Sequence, residues 1–559
     1  MKRKIAACFL AVLMCLFIVP FVGCTTKPER EVDQSQTQLH IGVYNGGLGY
    51  EWVEKLSERF EELFSDYQGE GGKVGVQVWF DAQKEKFETA SLQGMLDANA
   101  TQNDIYLSTS DPKDFINKAE YTTDITDIVN EKVYAEDGNF PDEGEVATKS
   151  IADKLDKKQL DRYTFNGKIM GMPYNESIIG FVYDHDLFVE NNYYDGGFGP
   201  DGIEGTYDDG LPATFEDLRN LFDKMVVDGI TPFTFTGFYN FYFDSMYRNV
   251  QAQYDGYEQT DLLRTYDGYF NTSMDDSVNS ANNGQGTKIT PENGYLLVNR
   301  KGAKKAIEFV KFLFSDTSYY SQRAALNSQT HTQAQGEFIN SIEATGSNKR
   351  IAMLWDGDWW ENEAKGSFKE MATSFREPEY DYGQRDFRYM PLPKFEGQAL
   401  DHGSFSTFQE IPIIFVNSKS QVKDIAGKWL QYMASNDGLS LFTEMTGSVM
   451  PYEFTLSKES YEKLTPFSQY RYTLQKEYSD HIYTPPKACD FSLYAKVSCA
   501  ATSLPAKKTS ELSYDYASPY SAFIDSQGLT ADAYWRAYLN NYSVEDWTAS
   551  YQNFMEVYG

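Results

Sequence analysis

The sequence predicts an α/β protein built as two lobes. Three observations carry that expectation: a strand-helix-strand order early in the chain, a second set of such elements from residue 178, and a length of 559 residues that two enlarged lobes account for. Leu39 to Tyr44 reads as a strand, and Asn45-Gly46-Gly47-Leu48-Gly49 as the tight turn after it. A helix is predicted from Tyr50 to Phe64, because Trp52, Leu56, Phe60 and Leu63 fall on one face at helical spacing. Val74, Val76 and Val78 alternate with smaller or polar residues as the next strand, and Asp104 to Leu107 forms another. Strands separated by helices pair in parallel, and such sheets bind ligands beyond the carboxyl ends of their strands, where Asn45, Asp81, Ser108 and Asp111 sit.

The second set begins with a strand at Ile178 to Tyr183. Leu211 to Thr214 leads into a helix with Thr214 as N-cap and Asp217 placed to complete a capping box. Ala303 to Phe314 and Val422 to Met433 are further helices, the latter with Val422, Ile425, Ala426, Trp429, Leu430 and Met433 at the three-four spacing of a buried stripe. Asn271 to Gly286, rich in Asn, Ser, Asp and Gly, reads as a surface loop. The Gly-Gly-x-Gly at Gly46 has neither GxGxxG spacing nor a GK[ST] partner, so it is a turn and not a nucleotide cradle.

The first residues have the pattern of a targeting segment: Lys2, Arg3 and Lys4 precede an apolar run from Ile5 to Val22, ending at Val22-Gly23-Cys24. This resembles a bacterial lipobox, with Phe21 where Leu is usual. It implies a signal peptide at residues 1–23 and a lipid on Cys24, which becomes the sole membrane contact. The alternatives are ordinary secretion and an uncleaved anchor. Residues 24–38 are polar and read as a tether. Net charge is −32, and removal of the leader's three cations deepens it to −35, which excludes nucleic acid as a partner because that affinity comes from Lys and Arg on phosphates. The mature chain keeps Cys489 and Cys499, either a disulfide or two thiols. With only five His in the chain, no His- or Cys-rich cluster marks a transition metal.

A longer resemblance comes from an ordered series of motifs. Asn166-Gly167-Lys168-Ile169-Met170-Gly171-Met172-Pro173-Tyr174 is similar to a family pattern NGKxYGxPY, Phe181 to Phe188 to YYNKDLF, and Pro212 to Leu218 to PxTWDEL. Ile351 to Trp360 looks like AAMxxxGxW, and Met390-Pro391-Leu392-Pro393, Val416 to Lys419 and Thr446 to Pro451 follow in order. The family is the extracellular solute-binding proteins of ABC importers, in the maltose-binding-protein-like, carbohydrate-specific group. The chain departs from it by an insertion at Asp195 to Gly210 and by extra length between Gln251 and Pro291.

The resemblance implies a type II periplasmic-binding-protein-like fold, a monomer whose hinged lobes close a cleft on a sugar or oligosaccharide and present it to the permease subunits of the importer, with no catalysis and no required cofactor. It divides the chain into lobe 1 (39–173 plus 394–450) and lobe 2 (174–393 plus 451–559), with crossings near Pro173, Pro393 and Pro451. Sugar needs aromatic platforms for its C–H face and amides or carboxylates for its hydroxyls. Trp359 is the foremost candidate, with Trp355, Asp356, Asp358 and Trp360 beside it. Tyr239 matches a cleft aromatic of the family, Tyr174, Asn175 and Glu176 follow the first crossing, and Asn45, Ser108 and Asp111 come from the first lobe. Each has a plain alternative, in core packing for the aromatics and a solvated loop for the polar residues. Asp201, Glu204, Asp208 and Asp209 in the insertion form either a structural Ca²⁺ loop or a solvated acidic one. A secreted glycoside hydrolase or a carbohydrate-binding adhesin would use similar residues.

Overall fold

The computed structural model describes residues 30–324, 329–345, 348–407, 412–494, 530–540 and 542–558. The expected leader, Cys24 and Cys499 lie outside them. Its strands used below are β1 (Thr37–Val43), β2 (Val76–Ala82), β3 (Ile105–Ser108), β4 (Ile178–Asp184), β5 (Thr231–Thr234), β6 (Ile351–Gly357), β7 (Phe387–Met390), β8 (Phe405–Thr407), β9 (Ile413–Val416) and β10 (Ile482–Tyr483).

The first sheet runs β9-β3-β1-β2 among the described residues. β2 and β3 lie parallel to β1, as strand-helix-strand order dictates, while β9 returns from far along the chain antiparallel to β3. Helix Glu51–Leu63 covers this sheet, with Trp52, Val53, Leu56 and Phe60 buried beside Leu39, Ile41 and Val43. Leu63, expected on that face, is exposed. Helix Lys423–Met433 buries Ile425, Ala426, Trp429, Leu430 and Met433 in the same core.

The second sheet runs β10-β8-β4-β6-β5. β4 is its spine: β6 pairs along one edge, and β7 and β8 share the other in succession, from Phe387↔Asp184 to Thr407↔Ile178. Every residue of β4 and β6 is buried, since helices cover both faces. Helix Phe215–Val227 starts at the expected capping box, Thr214 N donating to Asp217 Oδ2 (2.9 Å) and Asp217 N to Thr214 Oγ1 (3.2 Å). The Asn271 to Gly286 segment is more ordered than a plain loop. Asp275 caps the helical segment Asp276–Gly284, which is broken by a kink from Ala281 to Asn283, where Asn282 and Asn283 take left-handed φ values of 50° and 59° that Asn tolerates.

Three boundaries differ from the sequence expectation. The chain is laid on the first lobe from Arg30, before the tether's expected end: Arg30 Nη1 and Nη2 donate to Glu61 Oε1 (2.8 Å) and Oε2 (2.6 Å), and Asp33 N donates to Gln77 Oε1. Leu392 and Phe395 pack in the second lobe's core and β8 belongs to its sheet, so the second crossing falls after Thr407, not at Pro393. Tyr452, Phe454 and Leu456 stay in the first lobe's core, and helix Pro466–Glu477 makes the third passage with Tyr472 in that core and Phe467 in the other lobe's. At the first crossing, Met172 pairs with Ile414 of the first lobe, and β4 starts at Ile178.

The passages meet at buried charge. Arg471 Nε donates to Asp358 Oδ2 (2.7 Å) and Arg471 Nη2 to Glu176 O (2.6 Å), while Ser448 Oγ donates to Asp358 Oδ2 (3.0 Å). Both ionic side chains are fully buried. Asp358→Ala leaves the Arg471 cation without a counter-charge, and should lower unfolding free energy by about 3–5 kcal/mol in urea titration. A loss below about 1 kcal/mol would place Arg471 in contact with water instead.

Asp356 supplies a pH test. Burial, with a smaller contribution from the Glu363 charge, raises its pKa from the ordinary 3.8 to about 7. The native state therefore holds a proton that the unfolded chain has lost, so this contribution to stability is full below about pH 4 and vanishes as pH rises through 7. Asp356→Asn should remove that part of the decline, seen as a shallower fall of the melting temperature between pH 4.5 and 8 than in the parent chain.

Candidate functional site

A cavity of about 330 Å³ lies where the carboxyl ends of the first sheet face the second lobe. From the first lobe it receives Tyr44, Gly46 and Gly47 after β1, Lys84 and Glu88 after β2, Thr109 after β3, and Gln159 and Arg162 from helix Lys157–Arg162. Tyr174 to Ser177, the first crossing, forms its floor. The second lobe contributes Tyr239, Phe241 and Tyr242 at the start of helix Asn240–Asp255, His331 at the start of helix His331–Asn340, and Trp359 and Glu363 just past β6.

The aromatic wall is interlocked. Phe241 stacks on Tyr242 at 4.1 Å, Tyr242 meets the Trp359 ring edge-to-face at 6.3 Å, and Tyr239 meets His331 at 5.2 Å. Trp359 is half-buried, its indole closing against two glycines, one from each lobe. A Cβ on Gly47 would stand 2.6 Å from Trp359 Cδ1, and one on Gly357 would collide with the six-membered ring. A hydrogen bond from Asn362 Nδ2 to Gly47 O (2.8 Å) joins the lobes at the same place.

The polar groups are held as firmly. Glu176 accepts from Gln159 Nε2 (2.5 Å), Thr484 Oγ1 (2.9 Å) and Gln475 Nε2 (3.1 Å). Glu363 Oε1 lies 3.0 Å from His331 Nε2, and Gln335 Nε2 donates to Glu363 Oε2 (2.9 Å). Burial pushes the Glu363 carboxyl up, but the hydrogen bond and charge of His331 outweigh it and hold it below the ordinary value. Arg162 is only 4% exposed, with Nε and Nη2 unpartnered by protein.

The structure thus brings Trp359, Tyr239, Tyr174, Asn175 and Glu176 around one space and sends the other candidates elsewhere. Trp355 is core, edge-on to Phe181 at 4.8 Å with Nε1 donating to Ser245 Oγ (2.9 Å). Trp360 is buried among Phe338, Phe368, Phe387 and Phe467. Asp356 lies behind the wall, accepting from Gln335 Nε2 (3.1 Å), and Asp358 serves Arg471. Ser108 Oγ donates to Phe87 O (2.8 Å) and shapes the loop whose Thr109 reaches the cavity; Asn45 lies between two lining residues without lining it. Asp111 is a latch: its carboxylate accepts from Arg264 Nη2 of the second lobe (3.0 Å), and Arg264 keeps its pKa low against the opposing effect of burial. Lys84, Arg162, Tyr242, His331 and Glu363 were missed, coming from separate segments with no shared local pattern.

In the insertion the carboxylates fold their own loop. Asp201 Oδ1 accepts from Ile203 N (2.7 Å), Asp208 Oδ2 from Asp201 N (3.1 Å) and Asp209 Oδ2 from Gly205 N (2.8 Å), while Glu204 is exposed. Among the described residues, the group of His, Cys, Asp or Glu side chains close enough together to share one metal ion is a different one, His402, Asp480 and His481. Cys489 is half-buried with Sγ 3.6 Å from Ser492 Oγ, and Cys499, with which it would form either a disulfide or a pair of thiols, is outside the described residues.

No curated protein matches the sequence significantly. Many solved structures match, and three of them illustrate a fold shared over nearly the whole chain. One, from work on xylan utilisation by Caldanaerobius polysaccharolyticus, is 14% identical, covers 90% of this chain and 100% of its own, and has a TM-score of 0.56. The solute-binding protein RafE in complex with raffinose is 11% identical over 93% of this chain and 99% of its own, at 0.53. A probable secreted solute-binding lipoprotein from Streptomyces coelicolor is 12% identical over 91% and 99%, also at 0.53. At these identities the likeness is one of fold. A family model described as bacterial extracellular solute-binding protein matches residues 62–459, most of the chain, and the chain belongs to that family.

Proposed function

We propose that this chain is the substrate-binding lipoprotein of an ABC importer, taking up a sugar or oligosaccharide in the interlobe cavity and handing it to the permease. The observation that carries the reading is the cavity wall itself. Trp359, Tyr239, Phe241 and Tyr242 offer ring faces, and Glu88, Glu176, Glu363, Gln159 and Asn175 offer hydrogen-bond partners around the same space. A pyranose needs that pairing of flat apolar and polar surfaces. RafE, solved with raffinose, supports the choice of solute by its shared fold. Asn362 to Gly47, Arg264 to Asp111 and Lys158 to Asp261 are among the interlobe contacts that opening would break, and a solute bridging both lobes favours the closed state by its differential affinity. Anchoring rests on the leader and on Cys24.

An oligosaccharide array scored by thermal shift tests the reading, because a ligand of the native state raises the melting temperature by mass action. Trp359→Ala should abolish the strongest shift and disturb the unliganded protein less than Trp360→Ala, which empties a core site at about 3–5 kcal/mol. Retention of the shift in Trp359→Ala, or hydrolysis of the bound glycan, would replace this proposal. For the anchor, Cys24→Ala should move the protein from the membrane fraction to the medium of expressing bacteria.

A further inference from the structure

Away from the cleft, one margin of the second sheet brings together two of the chain's five histidines. His402 lies just before β8 and His481 just before β10, and these strands pair in parallel, Phe405 with Ile482 and Ser406 with Tyr483. The imidazoles lie face to face, centroids 3.8 Å apart and planes 3° from parallel. Asp480 stands beside them, and one ligand atom from each of the three residues lies within 4.8 Å of the others.

The second nitrogens are already committed. His402 Nδ1 is 2.7 Å from Gly403 O, an atom that only accepts, so the ring proton sits on Nδ1 and Nε2 carries the lone pair. His481 Nδ1 is 2.9 Å from the Tyr207 hydroxyl. An outer partner that fixes tautomer and ring orientation is the usual support of a metal-binding histidine. Solvation also fits: Asp480 is exposed, His402 half-buried and His481 buried, so the group opens to water on the carboxylate side.

We propose that His402, His481 and Asp480 form a site for one divalent transition ion of the zinc type. Two imidazole nitrogens and one carboxylate oxygen suit Zn²⁺ with water in the fourth position, whereas Ca²⁺ and Mg²⁺ seek six or more oxygens. In the stacked arrangement the two lone pairs run side by side, so binding requires a small turn of His402, the less buried ring, toward His481. A bound ion would tie β8 to β10 and, through Tyr207, to the insertion between Asp195 and Gly210. Since β8 leads directly into the second crossing, the ion would fasten the strand from which that crossing departs.

The test uses the whole mature chain, purified without a histidine tag and stripped with EDTA. Calorimetric titration should show one equivalent of Zn²⁺ bound, with a rise in melting temperature that Ca²⁺ and Mg²⁺ do not give, and Co²⁺ should show the visible absorption of a tetrahedral site. His402→Ala and Asp480→Asn should each weaken Zn²⁺ at least about tenfold. Asp480 is exposed, so its variant keeps the test decisive if His402→Ala folds poorly. Zn²⁺ binding of equal strength in the parent chain and both variants, or no stoichiometric binding at all, overturns the proposal.

Discussion

The buried pairing of Arg471 with Asp358 is the constraint around which both lobes are arranged. Two charges removed from water cost several kcal/mol each unless every face of the pair is answered by another polar group. Here the groups that answer it come from distant parts of the chain: Glu176 gives its carbonyl from the first crossing, Ser448 its hydroxyl to Asp358 Oδ2, and Gln475 its side chain, while Asp358 Oδ1 is buried without a hydrogen-bond partner. A pair that needs partners from both lobes is satisfied only when the crossings are correctly threaded. It lies next to Asn175 and Glu176, so the floor of the cavity is fixed by the same bonds that secure the passages.

Above that floor the walls follow a different physics. The second-lobe wall is aromatic and largely apolar, while the first lobe supplies a glycine-bearing turn, Lys84, Glu88 and Arg162. The wall can come close because Gly47 and Gly357 leave room for the Trp359 indole, so cleft width is limited by two missing side chains. The latch of Asp111 and Arg264 adjoins Arg162, which itself lines the cavity.

Much of this was legible in the sequence. Helical spacing located Glu51–Leu63 and Lys423–Met433, alternation located β2, and the capping box at Thr214 set a helix start to the residue. Periodicity stops being informative where a strand is buried on both faces. β6 and the residues after it read as one run of aromatic and acidic side chains, and nothing local separates Trp359 in the cleft from Trp355 and Trp360 in the core. Asp111 looked like a cleft residue because it follows a strand end, yet its partner Arg264 is remote in sequence. The proline-rich segment at Met390 suggested a crossing that β8 postpones, since the open half of the β4 edge still needed a partner.

On the proposed lipid anchor, the bidentate grip of Arg30 on Glu61 would set the length of the leash. With a lipid on Cys24, six peptide units separate the bilayer from a residue already bolted to the first lobe, and an extended chain spans no more than about 21 Å over that distance. On the proposed anchoring, the first lobe would ride within a short hop of the lipid headgroups, and the second lobe would be the swinging half. A receptor held so near its membrane would sample few orientations, and would meet the proposed importer largely by sliding in two dimensions.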